Sequence, residues 1–524
     1  MEIFDSTLRD GAQGESITFT VDDKLNIVRA LDKLGVRYIE AGNPGSNPKD
    51  LEFFERAHAL ELQHAELVAF GSTRRRDITA GEDKNLAALL TAGTKTVTIF
   101  GKSWDMHVTE IIRTTLEENL AMIADTIGFL RQNGREVIFD AEHFFDGYKH
   151  NPAYALRTLE TARNAGAVCA VLCDTNGGCF PDEIDSIVRE AGKVGIPVGI
   201  HCHNDTGCAV ANSMAAVGAG AVQVQGTFLG FGERCGNANL STIIANLQLK
   251  RDTQCIPSDQ LHRLTKTARY IAEVTNLVLE GTMPYVGKSA FAHKGGMHVD
   301  GVNKNSVSFE HVSPESVGNK RNILLSEVSG RTAILGKINQ FDASLTKDSP
   351  ETQELVDLLK ELEHQGYQFE AASASLELVV QKHLHKFQPF FELEDFKVIG
   401  ERMDEEHYNL SSAMVKIRVG DEVEITAHEG KGPVHALDIA LRKAVMRFYP
   451  SLGSMRLTDY KVRVMEPKDA TAAAVRVLIE SADESNVWTT VGVSSDIINA
   501  SLLALVDSIE YKLMHDSMAD SGQN

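Results

Sequence analysis

The sequence predicts an α/β protein made of a TIM (β/α)8 barrel, a helical linker region and a small α+β C-terminal domain. Two observations predict the barrel: short β-branched runs recur eight times in the first half, and they alternate with stretches of helical period. Eight strand-helix units in about 250 residues match such a barrel in size. The chain of 524 residues is too long for one hydrophobic core, so further domains are expected after the barrel.

The predicted barrel elements are marked by local sequence signals. The eight predicted strands are residues 2–8, 38–41, 67–71, 96–101, 137–142, 168–174, 198–203 and 222–228. Among the intervening helices, Thr20 and Asp23 have the spacing of a capping box, and Pro152 and Pro181 stand at first-turn positions. Helix stops are expected at Gly35, Gly134 and Gly166. An open, doubly wound sheet is the alternative, because a strand count does not prove closure.

The domain boundaries follow from the point where this alternation stops, past Thr253. We assign residues 1–254 to the barrel and residues 255–388 to a mostly helical linker, with a glycine-rich loop at 294–301. Residues 389–516 form the predicted α+β domain, and residues 517–524 are expected to be a flexible tail.

A strands-then-helix unit occurs twice in the predicted C-terminal domain. The first copy has strands at 413–419 and 423–428 and a helix that opens at Pro433. The second copy has strands at 460–465 and 473–479 and a helix at 494–514. This repeat predicts internal pseudo-symmetry, and the absence of a catalytic cluster favours a binding or dimerisation role.

The composition excludes several classes of partner. Lys and Arg number 52 against 73 Asp and Glu, which gives a net charge of −21 and repels nucleic acid and anionic membranes. No stretch of about 18 apolar residues and no signal peptide can be identified, so no membrane segment is expected. Seven cysteines, an odd number, indicate reduced thiols and a cytoplasmic location.

Polar residues cluster at the ends of several predicted strands. In a barrel these ends face one shared mouth, where active sites lie. Arg9 and Asp10 follow strand 1, and a His-x-His pair, His201 and His203, ends strand 7. Further polar residues at strand ends are Glu142, His143, Asp174, Thr175, Asn176 and Asn237.

His201 and His203 are two residues apart on a strand, so both imidazoles are expected to point to the same side. With Asp10 as the carboxylate they form a two-His/one-carboxylate set, which leaves open positions for a chelating substrate. The alternative is a pair of ordinary surface histidines. The mixed ligands suit Zn, Mn, Fe or Mg, and the spacing does not choose among these metals.

Arg9 and Glu142 each have two interpretations. Arg9 either forms a structural ion pair or donates to the carbonyl or carboxylate of a substrate. Glu142 is either a general base or a partner of a metal ligand. The neighbouring Cys173, Cys202 and Cys235 are given no nucleophilic role, since cysteine is often a small buried apolar residue.

Four motifs in order resemble the family that includes 2-isopropylmalate, homocitrate and citramalate synthases. They are DSTLRDGAQ (5–13), HCHND (201–205), GERCGNA (232–238) and HKGGMHVDG (293–301), and the likeness extends from residue 1 to about 515. Within the family, stretches 42–50, 70–75, 142–147, 317–321 and 326–331 are similar to one branch of citramalate synthases.

This resemblance implies roles for individual residues. Asp10, His201 and His203 are the implied metal ligands, with Asn237 as a further one. The residues implied to bind the oxo acid are Arg9, Thr175 and His143, and those implied for acid-base chemistry are Glu142 and His298. In relatives this last histidine comes from the partner subunit, which implies a homodimer.

The implied reaction condenses acetyl-CoA with pyruvate and water to give citramalate and CoA, in isoleucine biosynthesis. A divalent ion (Mg, Mn or Zn) is the implied cofactor, and isoleucine is the expected effector of the C-terminal domain. Two departures concern the substrates: Asn43 replaces an expected bulky aromatic, and Phe309 replaces a tyrosine near the acyl-CoA. Alternatives are a 2-isopropylmalate synthase acting on 2-oxoisovalerate, an acyl-CoA lyase of the same barrel superfamily, and a non-enzymatic amino-acid sensor.

Overall fold

The computed structural model describes residues 1–294, 296–323, 349–369, 371–400, 411–465, 474–483 and 486–521. The chain divides into two compact units, residues 1–292 with 305–322, and residues 293–304 with 323–524. Within the described ranges, no helix has both the length and the apolar character needed to cross a membrane. The motif at 326–331 lies outside the described residues.

A closed barrel of eight parallel strands forms the centre of the first unit. The strands are β1 (Glu2–Asp5), β2 (Tyr38–Gly42), β3 (Glu66–Ser72), β4 (Thr96–Lys102), β5 (Glu136–Glu142), β6 (Cys169–Asp174), β7 (Val198–Cys202) and β8 (Gln223–Gly226). Strand β1 pairs with β2 on one side and with β8 on the other, which closes the barrel. This closure confirms the predicted TIM barrel and excludes the open sheet.

Ten α-helices accompany the strands in the described part of the first unit. They are α1 (Val21–Leu34), α2 (Pro48–Ala57), α3 (Lys84–Thr91), α4 (Leu116–Gln132), α5 (Phe144–His150), α6 (Pro152–Ala165), α7 (Pro181–Gly192), α8 (Ala209–Gly218), α9 (Leu240–Lys250) and α10 (Leu264–Val274). The capping box at Thr20 and Asp23 is present, and Gly35 ends α1 in the left-handed conformation, with φ of 95°. These local signals therefore set the helix bounds that the sequence predicts.

Two layers of apolar side chains hold the barrel. Between strands and helices a large core includes Ile39, Ile99 and Leu172. Inside the barrel, Phe4 and Val171 belong to a separate cluster of buried side chains. Because the interior is filled in this way, the polar residues at the strand ends are left as the floor of the mouth.

Three predicted strands extend too far at their carboxyl ends. Strand β1 ends at Asp5 and not at residue 8, because the Asp5 carboxylate accepts hydrogen bonds from the backbone N–H (3.0 Å) and hydroxyl (3.0 Å) of Thr7 and turns the chain. Strand β7 ends at Cys202 and β8 at Gly226. The predicted residues beyond these ends lie in the loops of the mouth.

The segment predicted as a linker contains short strands as well as helices. Beyond α10 its described strands and α-helices are β9 (Ala292–His293), α11 (Gly296–Lys304), β10 (Asn322–Ile323), α12 (Pro350–His364) and α13 (Ser373–His383), and short 3-10 helices lie at Ser306–Ser308 and Pro314–Val317. The glycine-rich loop predicted at 294–301 is wrong from Gly296 onward. Helix α11 forms there because Val299 and Val302, three residues apart, are both buried on one side of it.

The C-terminal part of the second unit contains two copies of a three-strand, one-helix motif. The elements are β11 (Glu392–Gly400), β12 (Ser411–Val419), β13 (Glu422–Gly430) and α14 (Pro433–Met446), then β14 (Arg456–Val464), β15 (Val475–Ala482), β16 (Val487–Ser494) and α15 (Ile497–Ser521). Each copy has an antiparallel sheet with its strands in chain order. The predicted repeat is present, but each copy has three strands and not two.

The two missing strands differ in the signal that they carry. Strand β11 packs Leu393, Phe396 and Val398 on the core, but an irregularity in its pairing between Leu393 and Asp395 interrupts the alternation of apolar and polar residues. Strand β16 is rich in β-branched residues and ends two residues before α15, so its sequence does indicate a strand. The last helix extends to Ser521, so the tail expected from residue 517 does not begin there.

A buried carboxyl group holds the segment that leads into β11 of the C-terminal domain. Glu510 of α15 is 3% exposed and accepts a hydrogen bond from the backbone N–H of Phe390, at 3.1 Å. Burial raises the pKa of Glu510 from its ordinary 4.5 to about 7, although the backbone N–H groups of Phe390 and Phe391 act in the opposite direction. The folded state therefore favours the protonated carboxyl.

We predict that Glu510→Gln stabilises the protein at pH 8 and not near pH 4.5. The folded wild type binds this proton up to about pH 7, whereas the unfolded chain releases it near pH 4.5, so wild-type stability falls as pH rises through this window. The glutamine stays neutral and can still accept from Phe390. Urea midpoints measured across pH would show the difference. Glu429→Gln, at an exposed position of β13, is the matched control, and a stability gain that is independent of pH would contradict the prediction.

Candidate metal and substrate site

Asp10, His201 and His203 converge at the mouth of the barrel. Asp10 lies in the turn after β1, His201 lies in β7, and His203 follows that strand directly. One potential ligand atom from each residue lies within 4.8 Å of the others, and all three side chains are buried. The structure thus brings together the three residues that the sequence suggested as metal ligands.

The protonation states of the trio favour cation binding. Burial lowers the pKa of His201 to about 4 and also lowers the pKa of His203, which keeps both imidazoles neutral at neutral pH. Burial opposes ionisation of Asp10, but the positive charge of Arg9 and the hydrogen bond from Asn237 help to lower its pKa to about 2. The Asp10 carboxylate lies 3.6 Å from His201 Nε2. One anion beside two neutral imidazoles is the state in which such groups bind a metal.

Two further polar atoms at this place support the fit of a cation. Asn237 donates from Nδ2 to Asp10 at 3.0 Å, and its Oδ1 is buried. Within the described residues, neither this oxygen nor the buried Nδ1 of His203 has a hydrogen-bond partner. Buried polar atoms without a partner are costly, and a bound cation with its ligands would satisfy such groups. The mixed nitrogen and oxygen set fits a divalent metal.

Arg9 is held in place from three sides. Its Nε donates to Glu40 at 2.6 Å and its Nη1 to Asp10 at 2.8 Å. Its guanidinium carbon lies 3.7 Å from the ring centroid of Phe70, in cation–π geometry. Burial disfavours the charge, but Glu40 and Asp10 raise the pKa of Arg9 above its ordinary value. Arg9 is therefore a fixed cation beside the proposed metal ligands.

Glu142, His143 and Thr175 lie at the ends of β5 and β6. The backbone N–H of His143 donates to the Thr175 hydroxyl at 2.9 Å, and His143 adopts a left-handed conformation with φ of 55°. The Glu142 carboxylate pairs with Lys102 at the end of β4. The end of β6 is tied to the metal side of the mouth, because Asp174 O accepts from the backbone N–H of His203 at 3.2 Å.

His298 belongs to the second unit of the chain. It lies on α11, which belongs to the second unit, and its side chain is exposed. It is therefore not among the residues that the first unit assembles, and its catalytic role stays a prediction. Of the two departures, Asn43 is half-buried after β2 and Phe309 is 43% exposed.

Sequence reasoning missed several residues that contact the predicted site. Glu40 pairs with Arg9, Phe70 packs on it, and Lys102 pairs with Glu142. One signal was visible for Glu40, since a charged residue inside an apolar strand needs a buried partner. Phe70 and Lys102 are close to the carboxyl ends of their predicted strands, so the sequence could have placed both among the residues that line the mouth.

The first half of the chain matches a model of known proteins described as HMGL-like, over residues 1–271. Residues 285–367 match a homocitrate synthase post-HMGL domain-like model, and residues 370–513 match a LeuA allosteric (dimerisation) domain. These matches agree with the resemblance found in the four motifs.

Relatives cover nearly the whole chain. The (R)-citramalate synthase of Geobacter sulfurreducens is 51% identical over 514 residues, which is 98% of this chain and 97% of the relative. That of Aquifex aeolicus is 50% identical, with 98% of each chain covered. A 2-isopropylmalate synthase of Methanocaldococcus jannaschii is more distant, at 31% identity over 97% of this chain and 93% of the relative. The chain therefore belongs to the family of the (R)-citramalate synthases, within the wider group of HMGL-like proteins.

Proposed function

We propose that the chain is an acyltransferase that condenses acetyl-CoA with pyruvate and water to give citramalate and CoA. One observation carries the proposal: Asp10, His201 and His203 converge in a buried site beside Arg9. Such a site fits a 2-oxo acid, whose carboxylate and keto oxygens can chelate a cation. The names of the relatives at 50–51% identity support pyruvate over the larger 2-oxoisovalerate.

Arg9 is the residue that we assign to the keto oxygen. A divalent ion held by Asp10, His201 and His203, with Asn237 beside them, would supply a second positive charge there. Arg9 uses Nε for Glu40 and Nη1 for Asp10, which leaves Nη2 to donate to the alkoxide that forms when the keto carbon is attacked. The ion pairs fix this donor before the reaction, so no reorganisation is needed.

Thr175 and His143 are the residues that we assign to the substrate carboxylate. The Thr175 hydroxyl accepts from the backbone N–H of His143, so its own proton is available to donate. The left-handed backbone at His143 directs this N–H toward the hydroxyl. The two residues would therefore orient the oxo acid and need not exchange a proton with it.

Glu142 is our first candidate for the base. In the proposed step a base takes a proton from the acetyl methyl group, and the resulting carbon attacks the keto carbon of pyruvate. The carbonyl electron pair moves to oxygen, which then takes up a proton, and water cleaves the thioester to release CoA. Lys102 holds the Glu142 side chain in place. His298 is the second candidate, and the order in which the two act is left open.

We also propose that the protein is a cytoplasmic homodimer inhibited by isoleucine. The match of residues 370–513 to the LeuA allosteric (dimerisation) domain supports both the dimer and the effector site. An amino-acid effector suits this reaction, since hydrolysis of the thioester makes the step effectively irreversible.

We predict that purified protein with Mn²⁺ releases CoA from acetyl-CoA much faster with pyruvate than with 2-oxoisovalerate. A thiol-reactive dye follows the release, and identification of citramalate as the product completes the assay. Equal or faster release with 2-oxoisovalerate would instead favour a 2-isopropylmalate synthase.

We predict that His203→Ala abolishes both turnover and metal retention, because it removes one of three ligands from a buried site. Metal content after dialysis and CoA release measure the two effects separately. His64→Ala, at an exposed position before β3, is the matched control and should leave both unchanged. Near-normal turnover of the variant in metal-free buffer would refute the metal site.

We predict that isoleucine lowers the rate of CoA release by the full chain, and that deleting residues from about 390 onward removes this inhibition while some catalysis remains. The truncation takes away most of the region that matches the allosteric domain. Leucine and valine serve as control ligands. Inhibition that survives the truncation would show that the effector binds elsewhere.

A further inference from the structure

His201 forms a hydrogen bond through Nδ1, the ring nitrogen on the side away from the proposed metal. Its Nδ1 lies 3.0 Å from Oε1 of Gln225, and the two residues are register partners on neighbouring strands β7 and β8. The Gln225 side chain is fully buried, and His201 is 4% exposed. Both groups are therefore shielded from solvent in this arrangement.

The orientation of the Gln225 amide follows from its second partner. Nε2 of Gln225 donates to the carboxylate of Asp140 on β5, at 3.1 Å. The structure places the amide nitrogen toward Asp140, whose carboxyl group offers an acceptor oxygen whether or not it is protonated, and the amide oxygen toward His201. An amide oxygen can only accept, so Nδ1 of His201 must carry the proton. The lone pair of this imidazole is then on Nε2, the atom 3.6 Å from the Asp10 carboxylate.

His203 lacks a comparable contact. Its Nδ1 is buried and has no hydrogen-bond partner within the described residues. The two imidazoles therefore differ: the proton on His201 is assigned by the protein, whereas no described side chain assigns it on His203.

We propose that Gln225, held by Asp140, is a positioning residue that fixes the tautomer and ring orientation of His201 for metal binding. The proposal rests on the metal site of the proposed function and adds a residue to it. Hydrogen bonds to the far nitrogen of a ligating histidine orient the ring and raise its basicity. A neutral amide does this without adding another carboxyl group to the three that already surround the Arg9 cation, those of Asp10, Glu40 and Asp140.

The test is a titration of the full-length, metal-free protein with Mn²⁺ alone, in the absence of substrates. Gln225→Ala and Gln225→Leu should each weaken Mn²⁺ binding by about 10- to 100-fold, the range seen when such partners are removed. The leucine variant refills most of the space, so it separates loss of the hydrogen bond from loss of packing.

Gln223→Ala is the matched control. Gln223 lies two residues earlier on the same strand, is equally buried, and bonds to Glu2 and not to a proposed ligand. The Mn²⁺ affinity of this variant should equal that of the wild type. Loss of affinity in all three variants would indicate general damage to the barrel and would overturn the proposal.

A spectroscopic measurement reports on the tautomer itself. In the Co²⁺-substituted wild type, the Nδ1 proton of His201 should give a shifted NMR signal that exchanges slowly with water, because Gln225 accepts it in a buried place. Gln225→Leu should lose this signal or broaden it. If Gln225→Leu binds Mn²⁺ with wild-type affinity and its NMR signal is unchanged, the proposed positioning role of Gln225 is overturned. If the wild-type protein binds no Mn²⁺, the metal site of the proposed function is wrong as well. This outcome differs from the one that overturns the role of Gln225 alone, in which the wild type does bind Mn²⁺.

Discussion

The mouth of the barrel depends on one buried carboxylate, Asp10, and on the groups that keep it ionised. Arg9 donates to one oxygen and Asn237 to the other, while the imidazoles of His201 and His203 lie beside it. Removing one partner of a buried ion pair costs about 3–5 kcal/mol, because the other charge stays buried without compensation. These groups come from the turn after β1, the carboxyl end of β7 and the loop after β8, so closure of the barrel is what makes the set possible.

Because the chain is strongly acidic, an anionic substrate needs local positive charge at the mouth of the barrel. A net charge of −21 repels an anionic oxo acid at long range. Inside the mouth, Glu40 and Asp10 face the Arg9 cation at close quarters. A divalent cation at the trio would balance more of this negative charge, and it would also attract the substrate. The acidic surface and a cation-dependent site are therefore compatible.

The barrel and the proposed ligands were accessible to sequence reasoning for specific reasons. Strands alternate their side chains with a period of two, which places His201 and His203 together, and carboxyl ends of barrel strands share one mouth, which adds Asp10. Glu40 and Gln225 were not accessible in the same way. Their partners come from other strands, and only the register of the closed barrel decides which side chains meet.

In the second unit, sequence reasoning missed elements for a different reason. The repeat was detected because β12 alternates fully buried and partly buried residues, which gives a clear strand pattern. In strand β11 the corresponding alternation is interrupted by the pairing irregularity between Leu393 and Asp395. Helix α11 was hidden by its glycines, although Val299 and Val302 have helical spacing and are buried. Edge strands and glycine-rich helices depend on tertiary packing that local sequence does not encode.

The contact between Arg9 and the phenyl ring of Phe70 favours one kind of cation at this position. An ammonium group is strongly hydrated and prefers water or oxygen atoms on most sides, whereas a guanidinium plane loses little when an aromatic face covers it. The ring centroid lies 3.7 Å from the guanidinium carbon, so a lysine here would lose more hydration than the arginine does. An apolar side chain thus favours arginine over lysine at this site.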